Sequence, residues 1–387
     1  MHAHDAVSLL VIAFGAFVIP LLSGRIGVPA AVGEILFGIL VGPQVLAIMA
    51  PNDFISFLAQ FGFVLLMFLV GLELEFGRIE RGGVRGLAGA AGTSLLVFGF
   101  SFGIVRYLEL PSYLALVFGA MSVGVVMVTL NEASMTRTRV GQTTILVGSL
   151  GEFMTIILLT GFGMYYRFGL GWHLATEMAK LGVIVVAAYA ALVVLRTLIW
   201  WFPATFSRVG AARDPSEIGV RAGMATMLAF VALASLMDVE AILGSFVAGA
   251  LFAFVFREKE VLQAKMSSIG FGFFVPIFFI WVGGQFNLRA VLHVDVLPML
   301  GVFLAASLLA KVLASVTLTL QGMSIRESLA AGLLLSTPLT LLIVISRIGL
   351  EVKVIDDTTA GAVVLLALLT SVALPWLFRL LVRRSPT

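Results

Sequence analysis

One carboxylate, Glu152, lies inside a run that is apolar or small on both sides, from Gln142 to Gly163. An ionisable group at that depth in lipid costs about 2.5–3.5 kcal/mol on insertion scales. A chain that tolerates this uses the group as an ion or proton site, or neutralises it with a buried partner. Lys311, in SLLAKVLASVTL, is a second deep charge. It precedes the next apolar run by about 14 residues, which puts it near the bilayer centre at about 1.5 Å per residue. Snorkelling along its long stem is the alternative reading; the favoured one is a buried lysine that orders the site or pairs with a carboxylate. Small and polar residues interrupt two further runs: Ser122 and Gly124 in GAMSVGVV, and Ser336, Thr337, Pro338 and Thr340 in LLLSTPLTLL. Pro338 removes a backbone donor and displaces the i−4 carbonyl. Freed carbonyls and hydroxyls at membrane depth are tolerated where they line a cavity. For Pro338 alone, an ordinary kink relieved by Ser and Thr is the alternative. The chemistry these residues suit is competition between a cation and a proton at Glu152, helped by Ser122, Thr155 and freed carbonyls.

The elements that must position these groups follow from composition. Mean hydropathy is +1.13, and 60% of residues are hydrophobic against 12% charged, about half the charged share of a soluble domain. This describes an all-α polytopic membrane protein. With spans of roughly 20 residues, about thirteen candidates follow: 6–23, 30–49, 54–76, 84–106, 111–130, 140–165, 174–200, 216–237, 240–256, 262–282, 291–320, 326–347 and 357–381. The span 30–49 is weak, since it carries Glu34, three glycines and Pro43. The runs 240–256 and 262–282 also read as one irregular hairpin.

Basic residues concentrate after odd-numbered spans, as with Arg78, Arg81, Arg85, Arg137, Arg139, Arg208, Arg213, Arg379, Arg383 and Arg384. After even-numbered spans there are few, among them Arg106, Arg167, Arg289 and Lys353. The positive-inside rule then places the N-terminus outside and the C-terminus in the cytoplasm. Repeat one (about 6–165) and repeat two (about 216–381) flank a linker helix (about 174–200), an arrangement of inverted-repeat transporters with matched broken helices. No soluble regulatory domain is expected, and MHAHDAVSLL lacks the features of a signal peptide.

Other charged groups say less. Glu34 suits a structural or a functional role equally. Glu73 and Glu75 read as surface partners of Arg78 and Arg81, and Asp238, Glu240, Asp356 and Asp357 as solvated loop acids. His173 reads as an interfacial aromatic or a pH sensor. The four histidines lack ligand spacing, and the absence of cysteine excludes disulfides and thiolate chemistry. No nucleophile–base pair suggests an enzyme. No cofactor and no nucleic-acid partner are expected, because the basic residues flank apolar spans.

At this level the chain resembles the monovalent cation:proton antiporter superfamily, on the branch with Kef-type and NapA-type exchangers. The resemblance rests on GRIGVPAAVGEILFGILVGP (24–43), FGFVLLMFLVGLELEF (61–76), LGSFVAGALFAF (243–254), FVPIFFIWVG (274–283) and RESLAAGLLLSTPLTLLIVISRIGL (326–350). It implies thirteen helices in a core domain and a dimerisation domain, crossed broken helices at the ion site, homodimers and elevator-like motion. It also implies that Glu152 is the transport carboxylate, normally aspartate, and that Lys311 is the deep lysine of the eleventh span. Ser122 then falls in the first broken helix, and Gly151 stands where many members carry Asn, Asp or Gln. The expected function is antiport of Na⁺ or K⁺ against H⁺ in the cell (inner) membrane, by a 1:1 electroneutral cycle. A cation channel and a non-transporting sensor or scaffold on the same fold are the alternatives.

Overall fold

A computed structural model of the chain describes residues 3–26, 28–49, 53–73, 83–169, 216–237, 239, 241–256, 260–285 and 296–382, with scattered residues between 176 and 201. Glu75, Arg78, Arg81, His173, Asp238, Glu240 and most of the linker span 174–200 lie outside the described residues. The helices are α1 (Ala3–Ile26), α2 (Ala30–Val41), α3 (Asp53–Glu73), α4 (Gly83–Tyr107), α5 (Leu114–Gly119), α6 (Gly124–Glu132) and α7 (Arg139–Phe168). They continue with α8 (Ile218–Leu236), α9 (Ala241–Val255), α10 (Glu260–Ile269), α11 (Val275–Gly284), α12 (Val296–Ser315), α13 (Ile325–Leu335), α14 (Leu339–Glu351) and α15 (Asp357–Val382). Among the described residues there are no strands, as lipid demands of a chain that must satisfy each backbone group within its own segment. The protein is an all-α polytopic membrane protein.

Each candidate span other than 174–200 coincides with a described helix or a broken pair, and the departures have local causes. The weak second span is helical only to Val41, because Pro43 disfavours helical backbone at Gly42, which is extended at ψ 173°. The runs 241–255 and 260–284 are separate; the second passes through a π-helical turn at Gly270–Phe274.

The chain forms two compact units, each discontinuous in sequence: Met1–Phe76 with Phe168–Phe286, and Gly77–Arg167 with Asn287–Thr387. In the first unit, helices lock together through glycines. A Cβ at Gly71 would strike the Phe246 carbonyl and lie 2.8 Å from Ala250 N; one at Gly249 would strike the Phe68 carbonyl. The α3 and α9 backbones therefore touch, the small-residue packing that membrane helices use where burial from water gives no drive. Ser245 Oγ donates to the Val64 carbonyl at 2.5 Å across the same pair. Glu34 is buried on α2 within this unit.

The second unit holds both broken spans, α5–α6 and α13–α14, together with α4, α7, α12 and α15. Its core includes Val97, Phe98, Met121, Val147, Ala314 and Leu335. Ser324 starts α13 by a capping box: Glu327 N–H donates to Ser324 Oγ at 3.3 Å, and Ser324 N–H donates to Glu327 Oε2 at 2.7 Å.

Candidate functional site

The first broken span stops after Gly119. Ala120 N–H donates back to the Leu116 carbonyl at 2.8 Å, but Ala120 itself is extended, at φ −54° and ψ 132°. Residues 120–123 are non-helical, and Gly124 is the first residue of the second half-helix. The long helix α7 carries Glu152 past this gap. Ser122 Oγ donates to Glu152 Oε1 at 2.8 Å, and Val123 N–H donates to Oε2 at 3.1 Å. Both carboxylate oxygens are thus held from the gap, and the side chain is only 1% exposed. Bonds to a carboxylate are about twice as strong as neutral ones. The Val123 donor belongs to the N-terminal end of α6, where unpaired N–H groups and the peptide dipole favour negative charge.

Thr155 lies one turn further along α7, yet its hydroxyl goes elsewhere. It donates to the Gly151 carbonyl at 2.6 Å and accepts the Met121 N–H at 3.4 Å. Thr155 therefore ties the non-helical link to α7, while Ser122 and Val123 hold the carboxylate.

Lys311 is fully buried on α12, and its Nζ donates to Ser307 Oγ at 2.8 Å, one turn back on the same helix. In this geometry its partner is a hydroxyl.

The second break bends the span by 45° between α13 and α14. Ser336 Oγ donates to the Gly332 carbonyl and Thr337 Oγ1 to the Leu334 carbonyl, both at 2.8 Å. These hydroxyls satisfy carbonyls at the end of their own half-helix. Pro338 caps the start of α14 rather than kinking a continuous helix. Its own carbonyl accepts the Leu342 N–H at 3.0 Å.

The structure thus brings Ser122 onto Glu152 directly and Thr155 onto the link beside it. Sequence reasoning missed Val123, Met121 and Ser307. Ser307 had a signal, the four-residue spacing to Lys311 that puts both on one helix face. Val123 had none, because it acts through a backbone N–H that nearly every residue possesses.

A buried carboxylate at the gap of a broken apolar helix suits an ion site in a membrane transporter. A sequence profile described as sodium/hydrogen exchanger, transmembrane, matches residues 12–383. The chain belongs to this family. It is 30% identical over 409 residues to "Putative Na(+)/H(+) antiporter YjbQ" of Bacillus subtilis, covering 99% of this chain and 64% of that protein. It is 25% identical over 375 residues to "Probable Na(+)/H(+) antiporter 3" of Methanocaldococcus jannaschii, covering 93% of this chain and 92% of that protein. The solved structure of the sodium proton antiporter MjNhaP1 from Methanocaldococcus jannaschii superposes with a TM-score of 0.70, at 15% identity over 98% of both chains. That likeness carries the fold. As a sodium/hydrogen exchanger family member with long apolar helices, the chain is a multi-pass membrane protein.

Proposed function

We propose that this chain exchanges a monovalent cation, Na⁺ or K⁺, for H⁺, with Glu152 binding the two in competition. The observation that carries the reading is the burial of Glu152 with both oxygens held by Ser122 Oγ and Val123 N–H at a helix break. Family membership and the names of the relatives support the same activity.

Protonated Glu152 is neutral; deprotonated, it attracts a cation, with Ser122 Oγ and the carbonyls of the break as further oxygen ligands. Thr155 contributes by fixing the link that carries those ligands. Either loaded form crosses between inward and outward access. The empty, charged site is costly to move through low dielectric, and this enforces exchange. With one exchanging carboxylate the cycle is 1:1 and electroneutral. Lys311 is assigned as a buried supporting charge. The unit holding Glu152, Ser122 and Lys311 is assigned as the moving core, and the resemblance supports a homodimer. The distribution of Arg and Lys supports an inner-membrane topology with the N-terminus outside and the C-terminus cytoplasmic.

The test is proton movement in proteoliposomes after separate additions of Na⁺, K⁺ and Li⁺, with voltage clamped by ionophores that do not carry the test ion. Proton efflux evoked by a specific cation and absent in Glu152→Gln is the expected result. Cation flux with no counter-proton would make the protein a channel instead. Exchange surviving in Glu152→Gln would remove the site.

A further inference from the structure

Gly151 immediately precedes Glu152 on α7, and the space its missing side chain leaves is filled from the broken span. A Cβ at position 151 would overlap Met121 Cε and would lie 2.7 Å from Met121 Sδ and 3.0 Å from Met121 Cβ. Glycine weakens a helix relative to alanine, so its presence on α7 calls for a packing reason, and Met121 supplies one. Met121 is fully buried and sits in the non-helical link, in the core cluster with Val97, Val147, Ala314 and Leu335. Its backbone N–H is bound to Thr155, and the next two residues hold Glu152. The thioether therefore fills the space that α7 leaves at residue 151, next in sequence to Glu152.

Resting on the reading of Glu152 as the exchange carboxylate, we propose that Met121 is a specificity-determining residue for the transported cation. An entering ion must replace hydration water with protein oxygens. Thioether sulfur is a soft ligand, ill matched to hard alkali ions. With Met121 in place, a thioether rather than an oxygen or a water fills the space at residue 151. The small, strongly hydrated ions Li⁺ and Na⁺ lose most from that, because they give up water at greatest cost. K⁺ and Rb⁺ lose less. Removing the side chain opens space beside Gly151, whose carbonyl accepts the Thr155 hydroxyl and whose neighbour in sequence is Glu152, and polar groups at such a space can hold water. That water then serves as a ligand for the smaller ions.

The experiment measures the apparent KM for Li⁺, Na⁺, K⁺ and Rb⁺ in cation-evoked proton flux, using the full chain in proteoliposomes. Wild type is compared with Met121→Ala, Met121→Leu, Met121→Gln and Glu152→Gln. In Met121→Ala the ratio of the Na⁺ to the K⁺ KM falls about tenfold, a 1.4 kcal/mol change in relative binding. Met121→Leu, which refills the flank with apolar volume, keeps the wild-type ratio. Met121→Gln, close in size and bearing an amide oxygen, shifts the ratio as Met121→Ala does, and it decides the matter if the alanine variant does not fold. A wild-type ratio in the folded alanine or glutamine variant overturns the proposal, and so does an equal shift in Met121→Leu. Flux that survives Glu152→Gln overturns the underlying site reading instead. Loss of flux in Glu152→Gln with unchanged ratios in the Met121 variants overturns only the role of Met121.

Discussion

Tyr113 Oη donates a 2.7 Å hydrogen bond to the Ile345 carbonyl, which joins the entrance of the first broken span to the second half of the other. The ring is fully buried and meets Phe162 and Tyr166 of α7 edge-on, at 6.4 and 6.1 Å between centroids. Gly349 makes room for it, since a Cβ there would lie 2.7 Å from Tyr113 Cε1. One side chain thus ties α14 and α7 to the residue that starts α5.

Tyr113→Phe should keep the ring packing and lose the hydrogen bond, at a cost of about 1 kcal/mol. Tyr113→Ala should cost about 3–5 kcal/mol, in the range of large aromatic truncations. Thermal unfolding of the purified protein in one detergent orders the three proteins. Equal midpoints for wild type and the alanine variant would show that the tie contributes nothing.

Ser122→Ala removes the hydroxyl bound to Glu152 Oε1 and leaves the Val123 N–H in place. A bond to a charged group contributes about 1.5–3 kcal/mol, so the apparent KM for the cation should rise by about tenfold or more. Ser122→Thr, which restores the hydroxyl, should recover most of it. Concentration series of cation-evoked proton flux provide the measurement, and an unchanged KM in the alanine variant would remove Ser122 from the site.

The Lys311–Ser307 pair makes an asymmetric prediction. Ser307→Ala strands a buried ammonium without its acceptor, a loss of at least about 1–3 kcal/mol. Lys311→Met removes the charge and keeps the length, a kind of replacement that is often close to neutral. Thermal midpoints should therefore fall further in Ser307→Ala than in Lys311→Met. The reverse order would mean that Lys311 has a stronger partner than Ser307.

Asp356 caps α15 outside the spans: Thr359 N–H donates to its Oδ1 at 2.9 Å. The Thr359 hydroxyl and backbone N–H hold this carboxyl below the ordinary 3.8. A folded-state value below the unfolded one stabilises above the unfolded value, and the contribution disappears as pH falls through the folded value. The difference in unfolding midpoint between wild type and Asp356→Ala should be constant above about pH 4 and shrink below it. Asp356→Asn, a good cap without a titrating group, should differ from Asp356→Ala by an amount that does not change with pH. A wild-type difference that grows on acidification would contradict this assignment.

Much of the fold was legible because lipid simplifies the code. Each span must satisfy its own backbone, so a span announces itself by length and hydropathy, and a break announces itself by Gly, Ser, Thr and Pro. Glu152 stood out for the same reason: a carboxylate is conspicuous among residues such as Leu150, Phe153 and Ile156. The breaks at 120–123 and 336–338 fall where Ser122 and Pro338 placed them. Other features had no such contrast. Pairing one segment from each half into a compact unit leaves little trace in hydropathy, because faces turned to lipid and faces turned to protein are both apolar.

The candidate site divides along the same line. The kinds of group present, one deep carboxylate, one deep lysine and hydroxyls at two breaks, were set by residue type and depth alone. Their pairings were decided by the folded backbone. Thr155 turns to the Gly151 carbonyl and the Met121 N–H, Lys311 turns to Ser307, and Val123, with an apolar side chain, supplies the second bond to Glu152. Hydrogen-bond partners are chosen within about 3 Å and in a set direction. Residues 29 or 30 positions apart meet at that range only once α7 has packed against the gap in the first broken span.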